Sequence, residues 1–200
     1  MVRMPESRPY HHGDLRAALL RSAERTLREE GAGALSLRAL ARDVGVSHAA
    51  PGRHFKDKQA LLDALALEGY ERLERALAEA ADAGPGLDER MTASAHAYLG
   101  FAVAHPALLE LMFARKHHPD GSARLAAAAD RTLGSLTRMF ADAQERGEIV
   151  EGDPERIALT AAAGLHGLAA LIAGRALDAE EVLAGLDDHV RLVLHGLKPR

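Results

Sequence analysis

Apolar residues recur at helical spacing through most of this chain, and the interruptions are as informative as the runs. Leu15, Ala18, Leu19, Ser22, Ala23 and Leu27 form one stripe, which predicts a helix over residues 14–30 with Asp14 as its cap. Gly31-Ala-Gly33 stops it. Leu37, Leu40, Ala41 and Val44 then fall at i, i+3, i+4 and i+7, the face of a short second helix. Ser36 stands where a hydroxyl can accept an orphan backbone N–H, and Gly45 stands where a helix end tolerates positive φ. Ser47 is placed as a further N-cap, so that His48–His54 reads as a third short helix. Phe55 closes a small three-helix core.

A long helix is predicted from Lys58 to Ala83, with Leu62, Leu65, Ala66, Gly69, Leu73, Ala76 and Leu77 as its apolar stripe. Gly84-Pro-Gly86 breaks the pattern. Leu87, Met91, Ser94, Tyr98, Phe101 and His105 repeat at steps of three and four, and Pro106 ends that helix because the residue before proline leaves the α region. Leu108, Leu109, Met112 and Phe113 mark a short sixth helix. A seventh is expected over 122–146, with Met139 and Phe140 facing inward. Asp153-Pro154 pairs an N-cap with an N1 proline and opens an eighth, running to about Arg175. A ninth is expected from Ala179 to Leu197, with Val182, Leu186, Val190, Val193 and Leu197 on one face. No segment alternates at period two. The expected fold is all-α, with about nine helices.

The spacing over residues 36–55 is that of a helix-turn-helix, whose second helix enters the DNA major groove. Charge agrees with this reading. Residues 1–58 hold eleven Lys/Arg against seven Asp/Glu, net +4, whereas the remainder is net −8. A basic front on an acidic body suits a protein that presents one end to phosphates. Three parts are expected: a flexible arm over 1–13 carrying Arg3 and Arg8, a DNA-binding domain over 14–60, and a helical domain over 61–200.

Composition removes other classes. The chain has 200 residues, 48% of them hydrophobic, and no cysteine, so disulfides and thiolate metal sites are excluded. The apolar tract Ala161–Ala173, broken by Gly164, His166 and Gly167, is read as too short for a membrane span. No secretory signal is expected, and the protein is expected in the cytoplasm, away from membranes. His117-His118 with Asp120 lacks metal-site spacing. No phosphate loop, nucleophile elbow or His-Glu-x-x-His motif occurs. Neither enzyme activity, metal nor cofactor is expected.

Gly31, Leu35-Ser-Leu-Arg-Ala-Leu-Ala41, Val44-Gly-Val-Ser47, His54-Phe-Lys-Asp-Lys58 and Leu61-Leu62 occur in an order and spacing that resemble the TetR family of transcriptional regulators. The resemblance is specific over about residues 14–62. Tyr10-His-His-Gly-Asp-Leu15, Tyr98-Leu-Gly-Phe101, His105-Pro106 and Leu111-Met-Phe113 further resemble members with a WHG-type ligand domain. The naming motif of that domain falls on Leu165-His166-Gly167, with leucine in place of tryptophan.

The resemblance implies a homodimeric repressor that binds a pseudo-palindromic operator in double-stranded DNA and is released by a small-molecule effector. It places Ser36, Arg38, Ser47, His48, Ala49, Gly52, Arg53, His54, Lys56 and Lys58 at DNA. Of these, Arg53 is suited to bidentate bonding with guanine or to a phosphate. It places Tyr98, Phe101, His105, Met112, Phe113, Met139, Phe140 and His166 around the ligand, and Ala163, Gly167, Val182, Leu186, Val190, Val193 and Leu197 between protomers. One departure stands out. The family usually has tyrosine where this chain has Gly52. Beside Pro51, that glycine predicts a distorted recognition helix. It also sustains an alternative: a helical small-molecule-binding protein with a degenerate DNA-binding head.

Overall fold

The computed structural model describes residues 12–118 and 121–197, with side chains from Leu15 onward. Arg3, Arg8 and the rest of the expected arm up to residue 11 lie outside the described residues, as does Asp120. Among the described residues there are nine α-helices, two 3₁₀ turns and no strand. The helices are α1 (His12–Glu30), α2 (Leu37–Val44), α3 (Lys58–Ala81), α4 (Leu87–Ala104), α5 (Pro106–Lys116), α6 (Ala123–Glu145), α7 (Pro154–Ala173), α8 (Ala179–Ala184) and α9 (Leu186–His195). The chain divides into two compact units between Leu65 and Ala66, within α3.

The total of nine is as expected, but the membership is not. Residues 48–54 form no α-helix; only a 3₁₀ turn over Pro51–Arg53 is present. The expected ninth helix is two helices, α8 and α9, parted at Gly185. Helix α1 begins at His12, two residues ahead of the expected Asp14 cap position.

In the N-terminal unit, Leu15, Leu19, Leu20, Ala23 and Leu27 of α1 are buried, with Leu35, Leu40, Ala41 and Phe55. Asp43 of α2 ties this core to α1, accepting from the buried Ser22 hydroxyl and from the Arg25 guanidinium. The Arg16 guanidinium lies 5.7 Å from the Phe55 ring centroid. Gly45, in the left-handed conformation at φ 76°, returns its N–H to the carbonyls of Ala41 and Arg42 and so ends α2.

In the C-terminal unit α4 is central. It packs against α5, α6, α7, α8 and α9. Leu87, Met91, Ser94, Ala95, Leu99 and Ala102 are all buried along it, which is a wider face than one stripe supplies. A helix enclosed on several sides needs apolar residues around most of its circumference. Local capping signals hold at the starts of α7 and α8. Asp153 Oδ1 accepts from Glu155 N at 3.0 Å ahead of Pro154. Asp178 Oδ1 accepts from Glu180 N at 2.9 Å and Glu181 N at 3.0 Å.

Helix α7 runs through Gly164, His166 and Gly167 without a break. Glycine costs about 1 kcal/mol in a helix interior but does not end one. By length and composition α7, which extends the apolar tract back to Pro154, is long and apolar enough for a membrane span, as the apolar helices of folded domains also are. Only 22% of its most apolar window is buried within the chain.

Candidate functional site

The segment after Gly45 is held by short-range bonds. Ala50 N donates to Ser47 O at 2.9 Å, Arg53 N to Ala50 O at 3.2 Å, and His54 N to Pro51 O at 2.9 Å. These are i→i−3 bonds, the pattern of a 3₁₀ turn. An α-helix here would need an N–H on residue 51 to reach Ser47 O, and proline has none. Pro51 is buried while Ser47, His48, Ala49, Gly52 and Arg53 are exposed and His54 is half-buried. The turn thus presents a compact, cation-bearing tip.

The flanking residues fall into two groups. Arg38 and Lys56 are exposed. Ser36 has the extended backbone of an N-cap, yet its hydroxyl makes no cap bond to α2. Lys58 is half-buried, and its Nζ donates to Gly33 O at 2.9 Å, fastening the 3₁₀ turn Ala32–Ala34. Part of the capacity expected of Lys58 at a phosphate is therefore spent inside the protein.

Gly52 has no special backbone need: a Cβ built there meets no heavy atom within 4 Å, and its φ is not in the left-handed region. Gly52→Ala is expected to raise stability by about 0.5–1 kcal/mol through the unfolded chain and local propensity. Thermal denaturation measures this, and a lowered midpoint would show that the turn requires glycine.

The C-terminal unit encloses a cavity of about 560 Å³. Its wall is drawn from α3, α4, α5, α6 and α7. Of the expected ligand residues, Tyr98, Phe113, Met139 and His166 line it. Met112 and Phe140 do not; both are fully buried in close-packed core, and Met112 Sδ sits 2.6 Å from where a Cβ on Gly69 would stand. Phe101 and His105 also lie off the wall. Their rings pair at 5.1 Å, and the Arg72 guanidinium covers Phe101 at 6.0 Å.

The polar core of the wall is a pair the helices bring together across 68 residues. Tyr98 Oη and His166 Nδ1 are 2.8 Å apart. Burial pushes the Tyr98 phenol well above its ordinary pKa. The phenol therefore stays protonated, and the imidazole tautomer sets whether it donates to Nδ1 or accepts from it. The His166 ring stacks on Phe113 at 4.2 Å and 30°. Tyr70, not foreseen at this site, has its pKa pushed up to about 12, first by burial and then by Asp130. Its hydroxyl faces Met112 O at 3.4 Å. On the same wall Arg131 holds Glu74 by two bonds, Nε–Oε1 at 3.0 Å and Nη2–Oε2 at 3.1 Å. Lys116, Arg138, Thr132 and Ser135 also line the cavity and were not among the expected ligand residues.

The N-terminal unit matches the family model for bacterial regulatory proteins of the tetR family over residues 19–65. The model of the tetracycline repressor-like C-terminal domain matches residues 91–197. The chain belongs to the TetR family of transcriptional regulators. It is a DNA-binding regulator of the helix-turn-helix type, in a family whose members bind operators and effectors and form dimers. A protein with unknown function from Rhodococcus sp. RHA1 superposes on it with a TM-score of 0.87 at 45% identity, covering 96% of this chain and 100% of its own. YobS, an uncharacterised HTH-type transcriptional regulator of Bacillus subtilis, is 29% identical over 174 residues, 84% of this chain and 85% of YobS. The HTH-type transcriptional regulator Rv1816 of Mycobacterium tuberculosis is 31% identical over 147 residues. That match takes in 70% of this chain and 59% of Rv1816.

The TetR-like C-terminal domain also carries the residues expected between protomers, and here the structure corrects the sequence. Leu186 is 0% exposed and Val190 2%, both inside the chain's own core, where α9 packs on α4. Neither is available to a partner. Val182, Val193 and Leu197 are half-buried. The exposed apolar surface lies elsewhere. On α7, Leu159 is 59% and Leu171 46% exposed, and Ala163, Gly164 and Ala170 between them are also exposed, with Gly167 half-buried. On α9 the large exposed residue is Leu192, at 75%. Among the described residues no group of three His, Cys, Asp or Glu is placed to hold a metal ion.

Proposed function

We propose that this TetR-family regulator is a cytoplasmic homodimeric repressor, released from a pseudo-palindromic operator when a small molecule fills the cavity of its C-terminal domain. The observation that carries the reading is the cavity itself, about 560 Å³ and largely apolar with the Tyr98–His166 pair set in its wall. Its size and lining are those of a small-molecule site. Release follows from population shift: an occupant that favours one conformation moves the two DNA-reading heads away from half-site spacing. The exposed strip Leu159–Ala163–Gly164–Ala170–Leu171 of α7 supports the homodimer, because alanine and glycine let a second helix approach closely. One small DNA-reading head buries too little surface for selective binding, so two are needed.

A mobility shift on DNA flanking the protein's own gene, across a salt series, tests the reading. Tight binding to one pseudo-palindrome with a slope reporting several neutralised phosphates is expected. Weak, sequence-blind binding would favour the second reading, a small-molecule-binding protein with a degenerate head, which the replacement of a recognition helix by the 3₁₀ turn at Pro51–Arg53 supports. Within the first reading, Arg53→Ala is expected to cost about 1–3 kcal/mol and to relax specificity at one base position. An equal loss on every sequence would assign Arg53 to a phosphate.

A further inference from the structure

The charges in the cavity wall are unbalanced. Its ionic residues are Glu74, Lys116, Arg131 and Arg138. Glu74 spends both oxygens on Arg131, so that pair is neutral. Glu71 and Asp130 act on Arg131 and Tyr70 from outside the wall. Lys116, half-buried at the end of α5, and Arg138, on the rim, have no acidic partner among the described residues. The Arg138 guanidinium lies back along α6, with Nη1 3.6 Å from the place a Cβ on Gly134 would take.

The neutral polar groups are mostly committed. Tyr98 and His166 bond each other. Thr132 Oγ1 donates to Ala128 O at 3.0 Å and Ser135 Oγ to Thr132 O at 2.8 Å, both within α6. Ser94 adds one hydroxyl on α4. An occupant therefore finds an apolar interior and two unneutralised cations.

We propose that the occupant is an amphipathic acid: an apolar body against Leu73, Leu77, Met91 and Met139, with a carboxylate or similar anionic end met by one of the two unneutralised cations, Lys116 or Arg138. Charge-assisted bonds to an ammonium or guanidinium are stronger than bonds between neutral groups. A body without an acidic end leaves these cations unmatched. The inference rests on the reading of the cavity as the effector site.

The test is calorimetric titration of the full-length protein with decanoate, decanol and decyltrimethylammonium, which share a chain and differ in charge. Decanoate is expected to bind about tenfold more tightly than decanol, with decyltrimethylammonium weakest. Lys116→Gln or Arg138→Gln is expected to narrow the ratio of decanoate to decanol affinity, and a ratio unchanged by both removes the two cations from recognition. The ranking in the unaltered protein stands without either variant. Decanol equal to decanoate, or the ammonium compound tightest, overturns the anionic class while leaving the cavity as a binding site. Failure of all three to bind overturns the effector-site reading and this inference with it.

Discussion

Gly164→Glu is expected to convert the protein to a monomer and to weaken operator binding by at least about 100-fold, the loss that follows when two linked half-site contacts become one. The position makes the test clean. A Cβ at Gly164 meets no heavy atom within 4 Å inside the protomer, and the residue is exposed on the α7 strip. Replacing glycine in a helix interior stabilises the helix by up to about 1 kcal/mol. The protomer's own fold is therefore undamaged while a second copy is excluded by bulk and charge, and a fall in melting temperature that vanishes on dilution of the parent protein reports the lost partner. Light scattering after gel filtration gives the mass, and a mobility shift gives the affinity. A dimeric mass with full operator affinity would remove α7 from the interface. Val190→Glu, the change the sequence alone nominates, tests something else. It buries a carboxylate against α4, and its expected result is an unfolded chain.

Phe55→Ala is expected to abolish operator binding by melting the N-terminal unit. Phe55 is 2% exposed and carries Arg16 against its ring. Truncating a buried phenylalanine costs about 3–5 kcal/mol. A unit of this size buries a small core, and a loss of that order takes most of its stability. Phe55→Leu, which keeps most of the volume, should retain binding. The chain has no tryptophan and three tyrosines, two of which, Tyr70 and Tyr98, lie at the cavity. Their fluorescence then separates local melting from global unfolding. Native tyrosine emission with lost operator binding is the expected result. A Phe55→Ala protein that binds its operator at parental affinity would show that Phe55 does not hold the head.

Much of this was legible in the sequence because it is local. Gly45 ending α2, Asp153-Pro154 opening α7 and Pro51 with Gly52 distorting the recognition segment each depend on a few neighbouring residues. Backbone hydrogen bonding and φ preference set their outcome before any tertiary contact forms. The head's motif was legible for the same reason: a helix-turn-helix is defined by spacing within twenty residues. The break at Gly185 was hidden because Val182, Leu186 and Val190 keep a helical period across it.

Only the tertiary structure decided which apolar faces are spent and which are free. Periodicity says that Leu186 and Val190 must leave water, and it is silent on whether their cover is α4 or another protomer. The same holds for Met112 and Phe140 beside Tyr98 and Met139. All four have the chemistry of core, but the first two are close-packed while the other two border a void. The cavity's cations were hidden for the converse reason. Nothing in the spacing of Lys116, Arg131 and Arg138 marks them as neighbours of one cavity, and the neutralisation of Arg131 depends on Glu74, 57 residues away along the chain. Charge balance and empty volume are properties of elements distant in sequence brought side by side, so no local pattern encodes them.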